Sequence, residues 1–176
     1  RAYAANAAGS SWAPIESFVT TNEYPAGWGV GGGADVIHVK AGAIGEADGS
    51  DWFNAYPTIG AGFAAINGSR TNIWITGGSY GEGAVLTLGV GARVVGGFEG
   101  TESTESQRAL TNSLGVATNY TAINGEGIHQ CLIVTANGDV WLDTITVSNT
   151  YPRRALEKSS GSGKLTLNNC RIEDND

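Results

Sequence analysis

The sequence predicts an all-β domain, wound as a right-handed parallel β-helix with one short capping α-helix and an extended N-terminal arm. Three observations point there. Gly accounts for 27 of 176 residues, and charged residues for only 15% beside 41% hydrophobic; glycine in that amount, with Val, Ile, Thr and Asn, favours many short strands joined by tight turns. Apolar and polar residues alternate in short segments, each bounded by Gly, Asn, Asp or Ser. Two late segments also repeat one another: VWLDTITVSN (140–149) and LTLNNCRIEDN (165–175) align Val140 with Leu165, Leu142 with Leu167, Ile145 with Cys170 and Val147 with Ile172, an offset of 25 residues. A period of that size is the mark of a repeat architecture.

Residues 1–33 read as an extension. They begin Ala-rich, contain two Pro, end in a glycine run and offer SFVTT as their single strand candidate. The β-helix domain is expected over residues 34–176. Its predicted strands are DVIHVK (35–40), NIWIT (72–76), AVLTL (84–88), RVVGGF (93–98), YTAIN (120–124), HQCLIVT (129–135), DVWLDTITVS (139–148) and KLTLNNCRIE (164–173). Between the first two, Ile59, Phe63 and Ile66 recur at the spacing of one helix face, with Pro57 near the start and Gly68 just past the end. That helix, over 57–66, would close the early end of the coil.

Hairpins need tight turns between consecutive strands, whereas the similar segments here lie a full circuit apart. If each unit makes one circuit, equivalent strands stack in parallel about 4.8 Å apart. Inward positions then form columns, Val140 on Leu165 and Ile145 on Cys170. Asn149, Asn168 and Asn169 fall near corners, where their side chains can bond the turning backbone.

Three stretches carry a family resemblance: DVIHVKAGAIGEADGSDWFNAYPTIGAGFAAI, then NIWITGGSYGEG, then RVVGGFEGTESTESQR. Together they resemble the N-terminal portion of the bacterial secreted parallel β-helix proteins, in the style of polymorphic outer-membrane and autotransporter-passenger repeats. The Gly-Gly-Phe and Gly-Thr-Glu string with its following Gln-Arg is the most specific part. The resemblance covers residues 34–176 and implies an extracellular or cell-surface location. On this reading Phe98 fills the coil interior, Gly96 and Gly97 permit close approach between coils, and Glu99, Glu102 and Glu105 lie on a solvated turn.

The net charge of −7 and a pI near 4.7 argue against nucleic acid, whose phosphates need clustered cations; the densest basic pair is Arg153–Arg154. There is no apolar run of about eighteen residues to span a bilayer as a helix. The chain starts at Arg1 without an initiator Met, which fits export processing or excision from a longer chain. Cys131 and Cys170 sit in apolar strand-like runs, where a free thiol behaves as a small hydrophobe.

Catalytic chemistry finds weak support. Glycoside hydrolysis needs two opposed carboxyl groups, and Glu99, Glu102, Glu105, Asp139 and Asp143 form no evident pair in the sequence. His38 and His129 are isolated, and no Ser, His, Asp set emerges from spacing. For metal, GEADGSDW (45–52) offers Glu46, Asp48 and Asp51 as a weak Ca²⁺ candidate without EF-hand spacing. No other cofactor is indicated.

Strand alternation points Trp74 and Trp141 away from the coil interior, where they could meet glycan, protein or another copy. The expected function is that of an extracellular structural protein, a self-assembling fibre or surface-adhesin subunit whose copies join head to tail, through end-to-end contact or strand addition. The expected interface comprises Ile15, Phe18 and Val19 of the arm with Trp74, Trp141, Cys170 and Ile172, because an open strand edge invites another strand. The alternative is a carbohydrate-binding or polysaccharide-degrading β-helix module with glycans as partners.

Overall fold

The computed structural model describes residues 3–6, 9–12, 35–111, 118–151 and 154–174. Strands β1 (Tyr3–Asn6) and β2 (Gly9–Trp12) pair antiparallel within the N-terminal segment, where the sequence suggested only SFVTT. That stretch, and with it Ile15, Phe18 and Val19, lies outside the described residues.

From residue 35 the protein is predominantly β, and its strands form three parallel sheets. The first holds β3 (Val36–Val39), β4 (Asn72–Thr76), β7 (Ala92–Phe98), β10 (Val140–Asp143) and β13 (Leu165–Asn168). The second holds β5 (Gly78–Gly81), β8 (Thr121–Asn124), β11 (Ile145–Ser148) and β14 (Arg171–Glu173). The third holds β6 (Leu86–Leu88), β9 (Leu132–Val134) and β12 (Leu156–Lys158). From β4 onward the chain visits the first, second and third sheets in that order and begins again.

Register turns this order into columns. In the first sheet Ile37, Ile73, Val94, Leu142 and Leu167 are successive partners. Tyr80, Ile123, Val147 and Ile172 follow one another in the second, and Leu86, Leu132 and Leu156 in the third. The pairs Val140–Leu165, Leu142–Leu167 and Val147–Ile172 expected from the sequence are present. The columns meet in one apolar cluster, because alternation in every strand sends like-facing residues to the same side.

Helix α1 (Ile59–Ala64) is shorter than the predicted 57–66 but uses the same face: Ile59 and Phe63 are buried in the cluster, and Ile66 packs against it. Thr58 caps it, its hydroxyl accepting from Ala61 N at 3.2 Å. Glu82, in the turn between β5 and β6, accepts the N–H groups of Ile59 and Gly60 at 2.7 and 3.0 Å. The helix is thereby tied against β3, β4 and β6.

Corners between the first and second sheets are very short in the later circuits. Thr144 (φ 56°) alone separates β10 from β11, and Asn169 (φ 49°) with Cys170 separates β13 from β14. After the second sheet, Asn149 (φ 55°) and Asp174 (φ 52°) turn the chain in the same way. At Gly96 a Cβ would lie 2.5 Å from Thr144 O and 2.7 Å from Thr121 Cβ, so the close approach expected there is real. Gly97 turns with φ 84°.

Leu142 lies mid-column and is 1% exposed, so Leu142→Ala is expected to cost about 2–5 kcal/mol by transfer and cavity terms. Val90→Ala, at a position 48% exposed, should stay within about 0.5 kcal/mol. Urea unfolding monitored by circular dichroism checks both.

Candidate functional site

The alternation that sends the first-sheet column inward sends Val36, His38, Trp74, Arg93, Val95, Trp141 and Asp143 to the opposite face. That face is roofed rather than exposed. The excursion between β3 and α1 brings Trp52 over it, and the excursion between β7 and β8 brings Glu102, Glu105 and Arg108. Trp74 stacks on Phe98 with centroids 4.6 Å apart, and Trp52 stacks on Trp74 at 6.4 Å. His38 meets Trp52 and Trp74 edge-on at 4.5 and 5.8 Å. Trp52 Nε1 donates to Glu102 O at 2.8 Å, which joins the two excursions.

Beside this aromatic layer lies a buried charge network. Arg93, 1% exposed, donates from both Nη atoms to the two Glu105 carboxylate oxygens, each at 2.6 Å. Arg108 donates to Glu105 Oε1 at 3.1 Å and to Asp143 Oδ2 at 3.3 Å. Its other Nη bonds Gly96 O at 2.9 Å and Thr144 Oγ1 at 3.3 Å, while the guanidinium sits 5.4 Å from the Phe98 ring centroid. Thr144 also donates to Asp143 Oδ1 at 2.8 Å. A β-branched residue at φ 56° is strained, and these bonds to both sides of the corner hold it there.

Glu102 builds the turn that starts the roof. Its carboxylate accepts the N–H groups of Glu99, Gly100 and Thr101 at 2.7, 2.9 and 2.9 Å. Burial alone would raise its pKa, but the converging N–H donors outweigh that and hold it below the usual carboxylate value. His38 moves down for the opposite balance: burial disfavours the imidazolium more than the Gly49 carbonyl, 3.1 Å from Nδ1, and the charge of Asp51 favour it. The charge of Arg70 adds to the lowering.

The expectation of a solvated glutamate turn is therefore corrected at two of its three members. Glu99 is exposed, but Glu102 and Glu105 are buried, because each finds enough donors to replace water. Phe98 lies in the outer aromatic cluster instead of the interior. Trp74 does face away from the interior, yet it is 1% exposed beneath Trp52 and Phe98 and so offers no surface to a partner. Trp141 is half-buried on the same face.

Glu46, Asp48 and Asp51 are exposed and their loop is organised by turns. Asp48 Oδ1 accepts Ser50 N at 2.8 Å, Asp51 Oδ1 accepts Phe53 N and Asn54 N at 2.9 and 2.8 Å, and Glu46 N donates to Asn54 Oδ1. Among the described residues no three His, Cys, Asp or Glu side chains converge as a metal site. Cys131 and Cys170 are free thiols, and each donates to backbone carbonyls. Burial pushes the Cys131 thiol up to about 11, which leaves it protonated and unreactive at neutral pH.

Arg93, Arg108 and Asp143 are the members of the network that the sequence reading did not connect. One signal was available: an arginine inside RVVGGF is flanked by residues buried on both sheet faces, and a buried cation requires an acid. Chemically the network is a clamp. Its carboxylates are paired with guanidinium groups, an arrangement that fixes β7, the excursion after it and β10 relative to one another. Comparison with family models, with curated proteins and with solved structures returned no match.

Removing one partner of a buried pair strands the other charge. Glu105→Gln is expected to lower stability by about 3–5 kcal/mol, whereas Glu99→Gln, on the exposed part of the turn, should change it by about 0.5 kcal/mol or less; chemical denaturation of the two variants separates them.

The pH dependence follows from the two shifts. The lowered His38 pKa contributes stability that is present above 6.5 and lost as pH falls below it, and the lowered Glu102 pKa contributes stability lost only below about 4.5. Thermal midpoints should thus fall from pH 7 to pH 5, and His38→Phe should flatten that first fall while leaving the more acidic one.

Proposed function

We propose that this chain is a right-handed parallel β-helix serving as a structural module of the cell exterior, a fibre- or adhesin-type subunit whose copies join through their strand edges. The observation that carries the reading is the exposure of the inward-facing residues of β13 and β14. Val140, Leu142 and Val147 are 1%, 1% and 2% exposed, while their register partners one layer on are far more open: Leu167 is 43% and Ile172 56% exposed, and Leu165 is half-buried. β13 and β14 are edge strands of their sheets. Their inward apolar residues and edge backbone groups are complementary to one more parallel strand layer.

The third sheet differs. Its column Leu88–Val134 continues to Lys158, whose ammonium is held by the carbonyls of Ala136, Ser160 and Gly161. A charge at an inward edge position discourages strand addition, so contact would concentrate on the first two sheets. A head-to-tail contact of this kind generates rods when its rotation does not close. The sequence resemblance to secreted β-helix proteins supports the location, and the roofed first-sheet face supports a scaffold over a catalytic groove.

Sedimentation velocity of the 176-residue polypeptide over a concentration series tests the reading. Oligomers that grow with concentration are expected, and Leu167→Lys with Ile172→Lys should return a folded monomer. A wild-type chain that stays monomeric throughout, or a double variant that associates unchanged, overturns it.

A further inference from the structure

A cleft of about 410 Å³ opens at the corner between the first and second sheets, beside Thr144 of the charge network, and Arg171 at the start of the edge strand β14 contributes to its lining. Leu110 and Cys170 give it apolar walls, and Tyr120, Thr144, Asn169 and Arg171 bring polar groups to it. Its size falls in the range of small-ligand sites, about 300–1,000 Å³.

Arg171 lies over the Tyr120 ring, 4.2 Å from its centroid, and that stacking leaves the edges of the guanidinium free. Among the described residues the Arg171 N–H groups meet no hydrogen-bond acceptor or carboxylate, and the Asn169 amide has no partner. Among the described residues no carboxylate lines the cleft, and Asp143, beside Thr144, is already engaged by Arg108. The site thus combines one unspent cation, spare donors and an apolar wall.

We propose that this cleft binds a small carboxylate carried on a ring with an apolar face, the carboxylate taken by the free edge of Arg171 and the Asn169 amide, the ring resting against Leu110 and Cys170. A single guanidinium matches a single negative charge in bidentate geometry, whereas a dianionic phosphate would call for further cations that the cleft lacks. Both a sugar acid and an aromatic acid carry this chemistry.

The test is a titration of the isotope-labelled 176-residue chain, followed by amide chemical shifts, with glucuronate, benzoate and the neutral methyl glucoside as probes. Saturable shifts at Tyr120, Asn169 and Arg171 with one or both acids, and none with the glycoside, are expected; which acid binds identifies the source of the ring. Arg171→Gln, at an exposed position, should keep the wild-type spectrum elsewhere and weaken acid binding about ten-fold or more. Asn169→Gly, which tolerates the positive φ, should weaken it less. Absence of shifts with both acids, equal binding of the glycoside, or an Arg171→Gln variant that binds as wild type overturns the proposal.

Discussion

The contact of Ile73 with Val94, and of Val94 with Leu142, in register across parallel strands is the constraint on which the rest of the molecule depends. A slip of one residue would turn the interior column outward and bring Arg93, Trp74 and Asp143 into the apolar centre. The positions of the roofing groups are therefore consequences of a register that apolar burial sets. The short corners follow too: Thr144 and Asn169 can turn the chain in so few residues because the strands on either side are already held in place by their stacked neighbours.

The outer layer shows what happens when a sheet must be covered on both faces. A parallel sheet buried on two sides reads as a nearly continuous apolar run, and β7 does so except at Arg93. That cation is accommodated because Glu105 arrives from the excursion that follows the same strand, and Arg108 then links Glu105 to Asp143 one layer further on. A buried ion pair is weak evidence for net stability. Its effect here is positional: it sets where the excursion lies, and through Thr144 it reaches the corner of the next circuit.

Much of the strand layout was legible in the sequence because period-two alternation and its bounding residues are local signals. NIWIT coincides with β4, and RVVGGF differs from β7 by one residue. The 25-residue offset gave the pairing of β10 with β13 and of β11 with β14. Two strands of the parallel sheets left no such mark. β5 is Gly-Ser-Tyr-Gly, in which only Tyr80 is buried, and β12 carries Glu157 and Lys158 among its three residues. The long segments 139–148 and 164–173 each proved to be two strands, since a single left-handed Thr or an Asn-Cys pair leaves the alternation almost unbroken. The buried glutamates were not legible for a different reason: the fate of a carboxylate depends on donors from Arg93, Arg108 and turn N–H groups, which become neighbours only after folding.

The corner that Thr144 crosses alone is crossed between β7 and β8 by residues 99–120. Equivalent places in successive circuits thus differ by some twenty residues while the strands they join keep the same pairing. Chain length at this corner differs between circuits without moving the interior, but shortening it between β7 and β8 would evict Glu105 and leave Arg93 in a dry site. The excursion is thus a dependent part of the architecture, removable only together with the arginine it shelters.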